Sequence, residues 1–320
     1  MSAAETAQIG WDELTLSQSE YRRARIRYRR RRSLRGYLFI LPYLVPFLAF
    51  LVVPVFWAIW LSFNQGGLLN AAHFVGLQNW RQIGSDSELT TSIKNTAIYV
   101  VEAILLVFTL ATVLALILNR YRKGSAAFKL ALYVPLLAPA VLVGLIWQFI
   151  TNYDFGFVNT LLSTLGLKGL NILGSGTLAL QTIVLAEVWR GLGFWTLYFL
   201  ASLQNIPEEL LDAARVDGAK GLVRFRRIII PLLRPMLLFA VVIAIIANFQ
   251  VFDTVYVLTS GGPYESTSTL VWFIWKRLFQ FQDTGQGYAA AVLLLGIIFF
   301  LTAISFWLLG SRRRRRREAS

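Results

Sequence analysis

Apolar positions in this chain run together in six long stretches; they neither alternate nor keep to one helical face. A helix needs about 20 mainly apolar residues to cross a hydrocarbon core roughly 30 Å thick. On that measure the stretches predict transmembrane helices over residues 37–63, 95–118, 126–150, 177–203, 228–252 and 287–310. The longest interior connection, 253–286, is too short for a separate soluble enzyme. The pattern predicts an all-α membrane protein with a polar tail over 1–36, a membrane domain over 37–311 and a basic tail over 312–320.

Composition agrees with that reading. Of 320 residues, 56% are hydrophobic and 15% charged, against roughly 25% charged in soluble domains. A net charge of +14 raises nucleic acid as a partner, but the placement of the charge argues for membrane topology. Lysine and arginine accumulate on the cytoplasmic side of membrane spans. Nine arginines lie in the N-terminal tail, four basic residues between spans two and three with the adjoining flank, six between spans four and five with theirs, and six in the C-terminal tail. The opposite side holds only Arg81, Lys94, Lys168, Lys276 and Arg277. Both termini are therefore expected in the cytoplasm. The runs Arg29–Arg32 and Arg312–Arg317 read as anchors to anionic lipid headgroups, with no nucleic-acid role. The first apolar stretch is too long for a secretory signal and lacks a clear cleavage site, so it is expected to stay as an anchor.

The chemistry available is limited. The sequence has no cysteine, which excludes disulfides and thiol chemistry, and its one histidine, His73, has no metal-ligand company. Phosphate-binding loops, nucleophile elbows and paired zinc histidines are absent from the sequence. No metal, cofactor or catalytic residue is expected. A secondary transporter would need coupling-ion sites and larger inverted repeats. A membrane enzyme would need a denser cluster of acids, bases or ligands than this chain offers.

The connection between spans four and five is the most distinctive segment. Ile206-Pro207-Glu208-Glu209-Leu210-Leu211-Asp212-Ala213-Ala214-Arg215-Val216-Asp217-Gly218-Ala219 predicts one short helix over 207–217. Proline suits a first turn, Glu208 and Glu209 complement the positive helix end, and Gly218 suits a left-handed C-cap. Ala213 and Ala214 are small enough for another protein's surface to approach closely. Arg224 to Ile229 then lead into Pro231 and Pro235, two expected helix breakers.

This segment, 206–235, resembles the EAA loop of permease subunits of binding-protein-dependent ABC importers. Asp212-Ala213-Ala214, Asp217-Gly218-Ala219, Phe225, Ile228, Pro231 and Pro235 stand at the family spacings. Asp212 departs from the usual glutamate, with the charge kept and the reach one methylene shorter. Phe252 to Pro263 with Ser266-Thr267, Phe74 to Trp80, and Gly287 to Ala291 resemble the carbohydrate-uptake branch, the maltose and glycerol-phosphate type. The resemblance implies a type I importer permease fold in a bacterial inner membrane, with a sugar as cargo. It also implies a second related permease, two ATPase subunits that bind ATP and Mg, and an extracytoplasmic sugar-binding protein. Glu208, Glu209, Asp212, Ala213, Ala214, Asp217, Gly218 and Ala219 would form the coupling contact with an ATPase.

Ionisable groups within a bilayer are costly and usually face a protein interior or an aqueous cavity. Glu102, Glu187, Arg190 and Asp253 therefore need an explanation. Glu187 and Arg190 share a helix face with Gly191, Phe194 and Tyr198. They form either a structural ion pair or the wall of a polar pathway. In maltose-type permeases the matching positions contact sugar, and Asn248 matches another such position, with Asp253 nearby. Gln250 is expected on a different helix face from Asn248. Trp189, Phe194 and Trp195 are candidate platforms for the apolar faces of a sugar.

Overall fold

The computed structural model describes residues 39–66, 72–121, 125–219 and 221–310. The expectations for both basic tails and for the centre of the 119–125 turn lie outside these residues. Two compact units are present, Met1–Ala58 and Ile59–Ser320.

The described part of the first unit belongs to helix α1, Phe39–Leu61. It contains a π-helical turn, Leu48–Val52, that ends two residues before Pro54, which has no N–H to continue the regular ladder. No residue from 39 to 58 is buried, and Phe39 and Phe50 lie open, as suits a span whose surroundings are apolar.

In the second unit, which opens with the last turn of α1, two short strands pair antiparallel, β1 (Asn64–Gln65) against β2 (His73–Phe74). Helix α2 (Gln78–Gly84) follows. Fully buried Asn79 donates to the carbonyls of Ser62 and Asn64 at 3.0 and 2.9 Å, tying α2 to the strand pair. Helix α3 runs over Ser87–Arg120, N-capped by Asp86, which accepts from the Glu88 N–H at 2.8 Å. It starts eight residues before the expected span, because hydropathy registers the lipid-facing length and passes over the polar first turns.

The third stretch is not one straight helix. Helix α4 (Ser125–Leu137) and α5 (Ala140–Ile150) are bent by 99° at their junction. Pro139 stands there; it disfavours helical backbone at Ala138 and cannot donate to the ladder. Helix α6 (Phe157–Thr164) and α7 (Gly176–Gln204) follow. Helices α3 and α7 form the main packing pair. Ala103, Val107, Ala111 and Ala115 recur every fourth residue on the buried face of α3, which lets the two backbones approach closely.

Helix α8 spans Glu208–Val216. Gly218 takes φ +77, and the Ala219 N–H reaches the Ala214 carbonyl at 2.9 Å, the bond that closes a Schellman cap. Helix α9 (Gly221–Arg224) continues through a π-helical turn, Phe225–Ile229, into α10, Ile230–Phe249. The two prolines expected as breakers do not break it. Pro231 falls in the first turn of α10 and Pro235 inside the helix, and the π-helical turn precedes the first of them.

The helix does stop at Phe249. After three non-helical residues the chain resumes as α11 (Asp253–Leu258), then α12 (Leu270–Trp275) and α13 (Thr284–Gly310). The connection 253–286 is therefore largely ordered helix and turn. Asn95 donates to the carbonyls of Glu265 and Ser268 at 2.9 and 3.1 Å, and the Leu270 N–H bonds Thr96 at 2.8 Å. At the same end Lys276 pairs with Glu88 at 2.6 Å and Arg277 pairs with Asp86. These contacts fasten α12 and the turn after it to the start of α3.

Candidate functional site

Two breaks, one between α4 and α5 and one between α10 and α11, border a single cavity of about 290 Å³. Non-helical backbone at membrane depth is tolerated where it is buried in protein or lines a cavity, and both breaks meet that condition. Leu136 and Ala140 flank the first break, and Gln250, Val251 and Phe252 form the second. The remaining wall comes from Tyr99 and Ala103 of α3, Glu187, Arg190, Gly191, Phe194 and Trp195 of α7, and Asn248 with Asp253.

All six residues expected along a pathway, Glu187, Arg190, Gly191, Phe194, Asn248 and Asp253, line this one space. Glu187 Oε2 accepts from Arg190 Nε at 3.0 Å and Nη2 at 2.6 Å, while its other oxygen accepts from the Thr254 hydroxyl. The carboxylate thus joins α7 to α11. Its side chain is 10% exposed and that of Arg190 is 32% exposed, so the guanidinium carries the open edge of the pair. Asn248 bonds back to the Ala244 carbonyl at 2.8 Å and accepts from the Tyr99 hydroxyl at 3.2 Å, which joins α10 to α3. Asp253 opens the first turn of α11 and is exposed. The cavity therefore offers a guanidinium, carboxylates and two carboxamides beside aromatic rings, the groups that bind hydroxyl-rich molecules.

Several expectations change. Gln250 lines the same cavity as Asn248; the helix ends between them, so helical angles do not place it on another face. Trp189 does not line the cavity and packs against Trp147 at 6.5 Å. Phe194 and Trp195 do line it, with their rings 5.0 Å apart and nearly perpendicular. Glu102 lies outside it and accepts from Gln181 at 2.8 Å across the α3–α7 interface. Tyr99 and Thr254 escape sequence reasoning: a tyrosine in a span reads as an interfacial anchor, and the Thr254 contact is made between separate helices.

The expected coupling residues cluster elsewhere, on α8 and its cap. Glu208, Glu209, Ala213, Asp217 and Gly218 are exposed, as is Asp212, while Ala214 is 5% exposed and faces inward.

Residues 107–316 match the family described as binding-protein-dependent transport system inner membrane component. The chain is 34% identical to the trehalose/maltose transport system permease protein MalF of Thermococcus litoralis, covering 92% of this chain and 96% of that one. It is 32% identical to the arabinooligosaccharides transport system permease protein AraP of Bacillus subtilis, over 86% of this chain and 88% of that one. A solved fold match is a bacterial alginate ABC transporter in complex with an alginate pentasaccharide-bound periplasmic protein. There the TM-score is 0.78 at 23% identity, covering 88% of this chain and 96% of that one. With α3, α7 and α10 around a cavity that holds charged and amide side chains, the chain belongs to the family of inner membrane components of binding-protein-dependent transport systems, the permeases of ABC importers.

Proposed function

We propose that this chain forms half of the pathway by which an ATP-driven importer moves a sugar across the bacterial inner membrane, and that the sugar passes through the cavity between α3, α7 and α10. The carrying observation is that cavity: Arg190, Asn248 and Asp253 converge there beside Phe194 and Trp195. Sugars present hydroxyls to charged and amide groups and apolar C–H faces to rings. Relatives named for trehalose, maltose and arabinooligosaccharides support a carbohydrate cargo.

The coupling reading places α8 in a groove of a partner ATPase subunit. An amphipathic short helix with a rigid glycine cap suits that docking mode. ATP binding and hydrolysis by two such partners would move α8, and the packed helices would convert the movement into alternating access. A second permease and an extracytoplasmic binding protein complete the assembly. In this reading α8 and both termini lie on the cytoplasmic side, where the basic residues accumulate.

The Glu187–Arg190 pair serves both of the roles considered for it. The buried carboxylate holds α7 to Thr254 on α11, and the more open guanidinium meets the cargo.

The test is uptake of labelled sugar by the complete importer in proteoliposomes. Asn248→Leu is expected to cut uptake at least tenfold while membrane insertion and ATPase assembly persist, since losing one amide does not threaten an apolar span. Normal uptake by that variant would contradict the pathway assignment.

A further inference from the structure

Phe252 belongs to the wall of the central cavity and also to an aromatic cluster beyond it. Its ring centroid lies 5.6 Å from Tyr256 and 6.0 Å from Trp275. Tyr256 and Trp275 meet at 77° with centroids 5.4 Å apart, making a two-walled corner. Trp275 is backed by Trp272, stacked at 5.0 Å and 22°. Trp272 is in turn held by the turn at Gly261, where an added Cβ would fall 2.3 Å from the indole nitrogen. The corner is therefore fixed from behind.

In front of it lies a second cavity, of about 430 Å³, with Ser260, Lys276 and Gln280 in its wall. It sits at the end of the bundle opposite α8, because α11 runs on from the cavity break into the connection toward α13. Tyrosine and tryptophan are common at membrane interfaces, where they meet lipid headgroups singly. Here rings are stacked on one another, share a pocket with a hydroxyl, an amine and a carboxamide, and are continuous through Phe252 with the central cavity.

We propose that this corner is a second carbohydrate subsite. A sugar ring stacks on Trp275 and Tyr256, its hydroxyls reach Gln280 and Ser260, and Phe252 carries it over to the central cavity. The inference rests on the sugar-pathway reading above and adds a site of arrival before it. Because Tyr256 lies one helical turn from Phe252, an oligosaccharide can touch both cavities at once, whereas a monosaccharide occupies them in turn.

The test uses the complete importer with its binding protein in proteoliposomes, and maltose, trehalose and arabinotriose as probes. Sugar uptake and ATP hydrolysis are measured together. Trp275→Ala and Tyr256→Ala are each expected to lower the sugar carried per ATP by about three- to tenfold, the order expected for one lost ring contact. ATP hydrolysis stimulated by the loaded binding protein stays within twofold, and Trp275→Phe restores most of the ratio. An unchanged ratio marks the cluster as an interfacial belt and overturns the proposal. So does a joint loss of ATP stimulation and apparent affinity for the binding protein, which marks the cluster as that protein's docking surface. Asn248→Leu separates the two readings: if it loses sugar uptake while Trp275→Ala keeps the wild-type ratio, this subsite fails and the central assignment stands. If Asn248→Leu and Trp275→Ala both carry sugar as the wild type does, the central assignment and this subsite fall together.

Discussion

Glu187 shows how a carboxylate is kept inside a membrane bundle. Arg190 supplies two hydrogen bonds and Thr254 a third, so little of its charge meets an apolar surface. Removing one partner of such a pair costs more than the pair contributes, because the remaining charge stays buried. Arg190→Met is expected to lower the stability of the purified chain by about 1–3 kcal/mol. Glu187→Gln should cost less than Arg190→Met, since the amide oxygen still accepts from Thr254 and the partly open guanidinium can hydrate. Thermal unfolding in detergent checks this, and the double variant should cost less than the two single losses added together. Additive losses would mean that the pair is not coupled. The sequence made this pair legible through its three-residue spacing and the expense of charge in a span. Tyr99 stayed hidden, as did the side on which Gln250 falls, because both depend on where a helix stops and which helix packs opposite.

At the scale of elements, hydropathy located the long apolar helices and overlooked their interruptions. An apolar run reads the same whether it is straight or bent by 99° at Pro139, and the two interruptions are what shape the cavity wall. The turn chemistry of α8 was legible, because a proline, two acids and a glycine mark a short helix locally. The order within 253–286 was not, since it depends on distant partners such as Asn95 and Thr96. Packing of the bent span on α7 yields a second expectation. A Cβ at Gly193 would lie 2.1 Å from the Leu132 carbonyl oxygen, a backbone atom of α4. Gly193→Ala should therefore destabilise by about 1–3 kcal/mol through overpacking, although alanine favours helix by up to ~1 kcal/mol. Gly296, in α13, meets nothing within 4 Å, so Gly296→Ala should be neutral or stabilising. Paired melting curves of the two variants check the sign, and equal shifts would contradict the close α4–α7 approach.

For the whole molecule, the apolar runs made a helical membrane body legible, while the distribution of lysine and arginine supports the proposed orientation. Neither alone brings Glu187 together with Asn248 and Asp253, about sixty residues on; the maltose-type resemblance and the cost of charge within a bilayer put them on one expected pathway, and the structure brings them into one cavity. The chain contains no cysteine, so a single introduced thiol reports without background. The most direct measurement is the reactivity of Asn248→Cys in the complete importer toward a water-soluble, membrane-impermeant thiol reagent, across nucleotide states, with and without transported sugar. The pathway account predicts labelling in at least one nucleotide state and slower labelling when sugar is present. A thiol that resists the aqueous reagent in every state, while a lipid-soluble reagent modifies it, would contradict a sugar pathway through this cavity.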